Sequence, residues 1–186
     1  PLSFFGEATY SDSKFDWSGS VSHDKETRVL VGFKYNLGTG TLLADDPALT
    51  ARRPDGSLYE HQPRPVVVGT RAVPQEAAVR RHPLPFMQDE GDDLADLLDR
   101  LRELGAQRVF VEGGPTLASS FVRAGLVDEL LIYLAPTLLG GDRLATGDLG
   151  VPTIAAQRRL TVTDLARLGD DLLVVAAPEA LSKEED

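Results

Sequence analysis

The chain contains no cysteine. This excludes a disulfide framework, a thiolate metal centre and a cysteine nucleophile together. Histidine is scarce: His23, His61 and His82 are scattered, and none has the close spacing of a histidine-based zinc site. Cations are also short, with 19 Lys and Arg against 29 Asp and Glu and a net charge of −10. That balance argues against nucleic acid or an anionic membrane as the main partner. It leaves room for a small anion held by local arginines. No apolar run is long enough to span a bilayer and no signal-peptide pattern is present, so a cytoplasmic location is the expectation. Two nucleotide-binding signatures are missing as well. After Gly38 and Gly40 a dinucleotide fingerprint needs a third glycine at the position of Leu43, and no Gly-Lys-Ser/Thr loop occurs. The remaining composition is ordinary. With 186 residues, 42% hydrophobic and 26% charged, the chain can bury the core of one domain, and it shows no repeat or linker.

Alternating apolar runs and punctuation by glycine and proline divide the chain. Leu2–Phe5 can form a strand. Tyr10 to Lys25 is polar and loop-like, and its Trp17 reads as a loop anchor. Arg28–Gly32 and Pro65–Gly69, the latter with three consecutive valines, predict strands. Pro74–Gln88 is mixed, with a helical hint and three prolines. Asp92 or Asp93 can cap a helix over 93–104, whose Leu94, Leu97, Leu98, Leu101 and Leu104 form one apolar face that Gly105 ends. A strand at 108–112, a helix at 115–124 and a strand at 129–135 then predict a crossover between parallel strands. Leu160–Leu165 and Asp171–Ala177, turning at Gly169, predict an antiparallel hairpin at a sheet edge.

The sharpest feature is the turn Glu112-Gly113-Gly114-Pro115. Two glycines permit close backbone approach, and proline fits the first helical position. A helix opening there offers N–H groups and a positive dipole end to a phosphate. Glu112 stands at a strand's carboxyl edge, where ligands of open α/β sheets bind. A tight turn without a ligand fits the same residues, and by shape alone both readings stay open. Thr70 and Arg71 after the valine strand have the same ambiguity: a phosphate clamp or a solvated loop.

Two separated stretches together resemble the reductase domain of riboflavin biosynthesis. One is Val111-Glu112-Gly113-Gly114-Pro115-Thr116-Leu117 with Ala124–Leu130, Ala135-Pro136 and Leu139-Gly140-Gly141; the other is Leu43-Ala44-Asp45-Asp46-Pro47-Ala48-Leu49-Thr50-Ala51-Arg52. The resemblance implies a single-domain, dihydrofolate-reductase-like, three-layer α/β fold. Its sheet would be mixed and mostly parallel, with an antiparallel hairpin at the carboxyl end. It implies an NADPH-dependent reductase that converts 5-amino-6-(5-phosphoribosylamino)uracil to the ribitylamino compound by hydride transfer to the sugar C1′. The family is often fused to a zinc deaminase whose cysteine ligands cannot exist here, so the expectation for residues 1–186 is the reductase alone. By the same resemblance Thr41 and Asp45 contact the cofactor beside the nicotinamide; the chemistry of a carboxylate there adds the expectation that Asp45 relays a proton to the developing hydroxyl. Leu49 and Arg52 contact substrate, Arg52 at its phosphate. Thr70, with Arg71, meets the adenosine end of NADPH, and Glu112 is the substrate-binding acid. Gly113, Gly114, Pro115, Thr116, Leu117, Ala118, Ser119 and Ser120 hold the pyrophosphate. A homodimer through a sheet edge is expected.

The first 28 residues depart from the family. The Ser-Leu-Asp-Gly segment after the first strand is absent, Ala8-Thr9-Tyr10-Ser11 being at best a remnant, and Asp16–Thr27 is too short and polar for the usual helix. Two alternatives therefore remain at this stage: a reductase of the same fold acting on a dihydrofolate or pterin ring, and a non-catalytic nucleotide-binding module.

Overall fold

A computed structural model describes residues 3–4, 28–33, 46–53, 55–112, 114–138 and 144–179. Its strands are β1 (Ser3–Phe4), β2 (Arg28–Phe33), β3 (Val66–Val68), β4 (Met87–Asp89), β5 (Arg108–Val111), β6 (Glu129–Leu134), β7 (Leu160–Leu168) and β8 (Asp171–Pro178). The α-helices are α1 (Leu94–Glu103) and α2 (Pro115–Arg123), with short 3₁₀ turns at Ala78–Arg81 and Ile154–Ala156.

Helix α1 forms where the sequence predicts it. Asp93 caps it, its carboxylate accepting from the N–H groups of Ala95 (2.9 Å) and Asp96 (3.0 Å). At the other end Gly105, at φ +89°, donates to the Arg102 carbonyl while Ala106 donates to Leu101, the paired bonds of a Schellman stop. Of the leucine stripe, Leu97 and Leu101 are buried, and Leu94 and Leu98 pack partly against the core. Leu104 is 60% exposed, unlike the prediction, because it is the C-cap, where the helical phase that aligned it with the stripe ends. Helix α2 starts at Pro115 and ends before Gly125, as expected.

Strand order in the larger sheet is β5-β2-β6-β8-β7. Strands β5 and β6 are both parallel to β2, which lies between them, with Val31 opposite Val111 and Leu130. The predicted crossover through α2 therefore skips over a strand rather than joining neighbours. Strands β6, β8 and β7 are mutually antiparallel in sequence of pairing, so the carboxyl-terminal hairpin is present and β7 is the edge. A smaller sheet has the order β1-β3-β4, antiparallel then parallel. Strand β4 was not predicted: Met87-Gln88-Asp89 has a single apolar residue and is a strand because β3 offers it a free edge.

One core joins the elements. Val66 and Val68 of β3, Leu97 and Leu101 of α1, Val109 and Val111 of β5, Leu117, Ala118 and Phe121 of α2, Val127 and Leu130 cluster together. Consecutive strand side chains point to opposite faces. Val67, between the two, accordingly faces a second, smaller cluster with Leu49, Val73, Ala77 and Val79, against which Phe86 packs. The valine run is thus buried on both faces, which explains why it shows no polar alternation.

Candidate active site

The second cluster anchors the segment that carries Arg52. Two non-glycine residues there adopt left-handed backbone, Asp46 at φ 34° and Leu49 at φ 56°. Each such residue costs about 1–2 kcal/mol, so surrounding structure must hold it. Asp46 is held by its carboxylate, which accepts from the Ala78 N–H at 2.7 Å. Leu49 is held by full burial of its side chain in the cluster on β3. The whole residue is therefore part of the packing rather than of an open pocket wall.

Beyond Leu49 the chain forms a tight hairpin in which Arg52 bridges Leu58 in antiparallel fashion. The Arg53 N–H donates to Ser57 and the Gly56 N–H to Arg53, both at 2.8 Å. Asp55 closes the turn by accepting from the Ser57 hydroxyl (2.6 Å) and N–H (2.9 Å). Those bonds, the hydroxyl foremost, hold the Asp55 carboxyl below its ordinary pKa. Arg52 is half-buried; its Nε donates to Thr50 Oγ1 (3.1 Å) and its Nη1 to the Gly56 carbonyl (3.0 Å). The guanidinium fork is thus fixed against its own hairpin.

Thr70 and Arg71 leave the carboxyl end of β3 and are exposed. The turn is shaped from β4: the Gly69 N–H donates to the Asp89 carbonyl at 2.6 Å, and Gln88 Nε2 donates to the carbonyls of both Gly69 and Arg71 at 2.8 Å.

At the end of β5, Glu112 is half-buried. Gly114 is the N-cap of α2, with no side-chain cap, and Pro115 follows at the first helical position. Gly114 has ordinary backbone angles, and a Cβ there would meet nothing within 4 Å. Packing among the described residues therefore gives no reason for glycine at this position. Gly114, Pro115 and Thr116 are exposed, whereas Leu117, Ala118 and Ser119 are buried in the core face of α2. Ser119 Oγ accepts from the Gly147 N–H at 2.8 Å. Ser120 Oγ donates to the Thr116 carbonyl (3.0 Å) and accepts from Arg123 Nη2 (3.1 Å), and Arg123 Nη1 reaches the Asp148 carbonyl (3.0 Å). Ser119, and Ser120 through Arg123, thus tie the 144–150 loop to α2, leaving Gly114 to Thr116 and the half-buried Ser120 as the accessible part of the predicted phosphate cradle among the described residues. Thr41, Asp45 and Gly113 lie outside the described residues. No cluster of metal-ligating side chains occurs among the described residues.

Three groups therefore stand on hydrogen-bonded supports: the half-buried guanidinium of Arg52 on its clamped hairpin, an exposed hydroxyl and guanidinium at a strand end, and an exposed, uncapped helix start beside a half-buried acid. An α/β domain with these parts, mixed parallel and antiparallel strands and a carboxyl-terminal hairpin has the dihydrofolate-reductase-like architecture of pyrimidine reductase domains. Residues 22–174 match the model of the RibD C-terminal domain, and the chain belongs to that family. It is 40% identical over 171 residues to the riboflavin biosynthesis protein RibD of Mycobacterium tuberculosis, covering 91% of this chain and 50% of that protein. It is 31% identical over 164 residues to the 2,5-diamino-6-ribosylamino-4(3H)-pyrimidinone 5′-phosphate reductase of Methanothermobacter thermautotrophicus, covering 74% and 76%. Among solved structures, RibD of Acinetobacter baumannii superposes with a TM-score of 0.64 at 28% identity over 82% of this chain and 46% of that one. The chain spans about half the length of the RibD relatives it matches.

Proposed function

We propose that the chain is the NADPH-dependent reductase that converts 5-amino-6-(5-phosphoribosylamino)uracil to its ribitylamino product in riboflavin biosynthesis. The observation that carries this reading is the match to the RibD C-terminal domain together with the rigid presentation of Arg52, Glu112 and the bare start of α2.

The residues present fit the cofactor. The uncapped N-terminus of α2 and the open space at Gly114 suit a pyrophosphate, which needs N–H donors and no intervening side chain. Thr70 and Arg71, exposed on the Gln88-shaped turn, suit the 2′-phosphate that distinguishes NADPH from NADH. When bound, NADPH supplies a hydride. Arg52 takes the substrate phosphate, for which a guanidinium fork is matched in shape and charge. Glu112 accepts hydrogen bonds from the substrate and fixes its orientation. Asp45 relays the proton that leaves the opened sugar oxygen as a hydroxyl once C1′ has accepted the hydride. Catalysis by such a site is mostly positioning, so it needs no activated nucleophile.

The partner surfaces follow the same reading: a small phosphorylated pyrimidine as substrate, no nucleic acid, a cytoplasmic setting, and a homodimer formed through the β7 edge. Among the described residues no helix is long and apolar enough to cross a membrane. Edge strand β7 exposes Leu160, Val162 and Leu165.

The test is NADPH oxidation followed by absorbance of the reduced nicotinamide. Turnover with the phosphoribosylamino-uracil, or with its diaminopyrimidinone counterpart, supports the proposal and shows which ring is accepted. Turnover only with dihydrofolate, or NADPH binding without any turnover, overturns it. Arg52→Ala should raise KM for the phosphorylated substrate by about 10²-fold, the loss expected for one charge-assisted pair, with NADPH affinity little changed.

A further inference from the structure

Gln62 makes an arrangement that no local sequence pattern announces. The Ala51 N–H donates to Gln62 Oε1 at 2.9 Å, and Gln62 Nε2 donates back to the Ala51 carbonyl at 3.0 Å. The same Nε2 donates to the Tyr59 carbonyl at 2.6 Å. A carboxamide has one donor pole and one acceptor pole. With both poles on the backbone of a single residue, the side chain does the work of a neighbouring strand. The Ala51 carbonyl also accepts from the Tyr59 N–H at 3.1 Å. Ala51 is thus gripped by its hairpin partner and by the amide of a residue 11 positions on.

Ala51 sits between an anchor and a tool. Two residues before it, Leu49 is sunk in the cluster on β3; next after it comes Arg52. Clamping Ala51 fixes the direction in which the Arg52 side chain leaves the backbone, and any angular error there is magnified along a long side chain. The bonds from Arg52 Nε to Thr50 and from Nη1 to Gly56 then hold the fork within the same hairpin, while Nη2 enters no hydrogen bond among the described residues. The nearest acid in the hairpin, Asp55, is committed to Ser57 and accepts nothing from Arg52.

We propose that Gln62 is the positioning residue for Arg52 and sets the enzyme's preference for a phosphorylated over a dephosphorylated substrate. The proposal rests on the substrate reading above. Loss of Gln62 leaves the charge of Arg52 in place, so general attraction for anions persists, but it removes the aim on which paired hydrogen bonds to phosphate depend.

Calorimetric binding of ribose 5-phosphate and steady-state kinetics with both forms of the substrate test it, on the wild type, Gln62→Leu, Arg52→Ala and the double variant. In Gln62→Leu the Kd for ribose 5-phosphate and the KM for the phosphorylated substrate should each rise about tenfold, as expected when misaiming of Arg52 forfeits one charge-assisted hydrogen bond to the phosphate. The kcat, the NADPH Kd and the KM for the dephosphorylated substrate should stay within about twofold, and the double variant should be no worse than Arg52→Ala. Equal losses for both substrates, a parallel loss of NADPH affinity, additive effects in the double variant, or unchanged binding in Gln62→Leu would each overturn the proposal. If Gln62→Leu does not fold, Gln62→Glu is read the same way, since it keeps the acceptor for Ala51 and sets an oxygen against the two carbonyls. A wild type that turns over neither pyrimidine refutes the functional reading. A wild type that binds ribose 5-phosphate without dependence on Arg52 refutes the role given to Gln62.

Discussion

Replacing Gly91 with alanine should damage the protein more than its half-buried position just after β4 suggests. Gly91 has φ +80°, and a Cβ built there lies 2.5 Å from Val68 Cγ1. Val68 is 4% exposed and belongs to the main core. Being β-branched, it has few other rotamers to move into. Two costs therefore add. Left-handed backbone on a residue with a Cβ costs about 1–2 kcal/mol, and displacing a packed methyl costs about 1–3 kcal/mol. The sum, about 2–5 kcal/mol, is a large share of the roughly 5–15 kcal/mol that stabilises a typical domain. It corresponds to a Tm lowered by about 5–15 °C for a chain of this size. Gly105→Ala is the control, since Gly105 has φ +89° but a Cβ there meets nothing within 4 Å, leaving only the backbone cost. Thermal and urea unfolding of the two variants separates the terms. Val68→Ala added to Gly91→Ala should recover about 1–3 kcal/mol relative to additivity. Equal losses in Gly91→Ala and Gly105→Ala, or strict additivity with Val68→Ala, would refute the contact argument. Because Val68 pairs with Asp89 directly before the Gly69–Arg71 turn, the same variant should weaken NADPH binding.

Other perturbations read other parts of the site. Gln88→Leu frees the carbonyls of Gly69 and Arg71, and should raise KM for NADPH several-fold while leaving KM for NADH unchanged; equal effects on both cofactors would count against a 2′-phosphate role for the turn. Ser119→Ala strips the Gly147 N–H of its acceptor, at a cost of about 1–3 kcal/mol in urea unfolding, with faster hydrogen exchange at the Gly147 amide. Asp55 has a lowered folded-state pKa, so its contribution is present above the ordinary carboxylate pKa and lost as pH falls through the folded value. Exchange protection at the Ser57 amide should therefore fall on acidification, and Asp55→Asn should abolish that pH dependence.

The sequence made the helices legible because each carries its own punctuation. Asp93 and Gly105 bracket α1, and Pro115 and Gly125 bracket α2, independently of what they pack against. The valine run of β3 and the hairpin of β7 and β8 were legible for the same reason. Strand β4 was not, because Gln88 and Asp89 become a strand only through pairing with β3. Nor was the insertion of β2 between β5 and β6, since strand order is a property of the assembled sheet. Within the site, the turn from Glu112 to Thr116 could be read from residue types alone. Leu49 could not: its chemical character suits either a pocket wall or a core, and the left-handed backbone that sinks it into the core is invisible in the sequence. Gln62 and Gln88 were missed because a single glutamine in a polar stretch carries no periodicity, and apart from Tyr59 the partners lie 11 to 19 residues away.

The place of β2 also bears on how the chain is made. On the ribosome, Arg28–Phe33 emerges long before either strand that will flank it, and its second neighbour follows roughly a hundred residues later. At about 5–20 residues per second of synthesis, that run of valine and leucine waits on the order of 5–20 s before partners for both hydrogen-bonding edges exist. An unpaired apolar strand is a template for aggregation. Productive folding of the nascent chain is therefore a race between completion of β6 and association with other chains, so yield should depend on expression rate and on chaperones that shield the amino-terminal third.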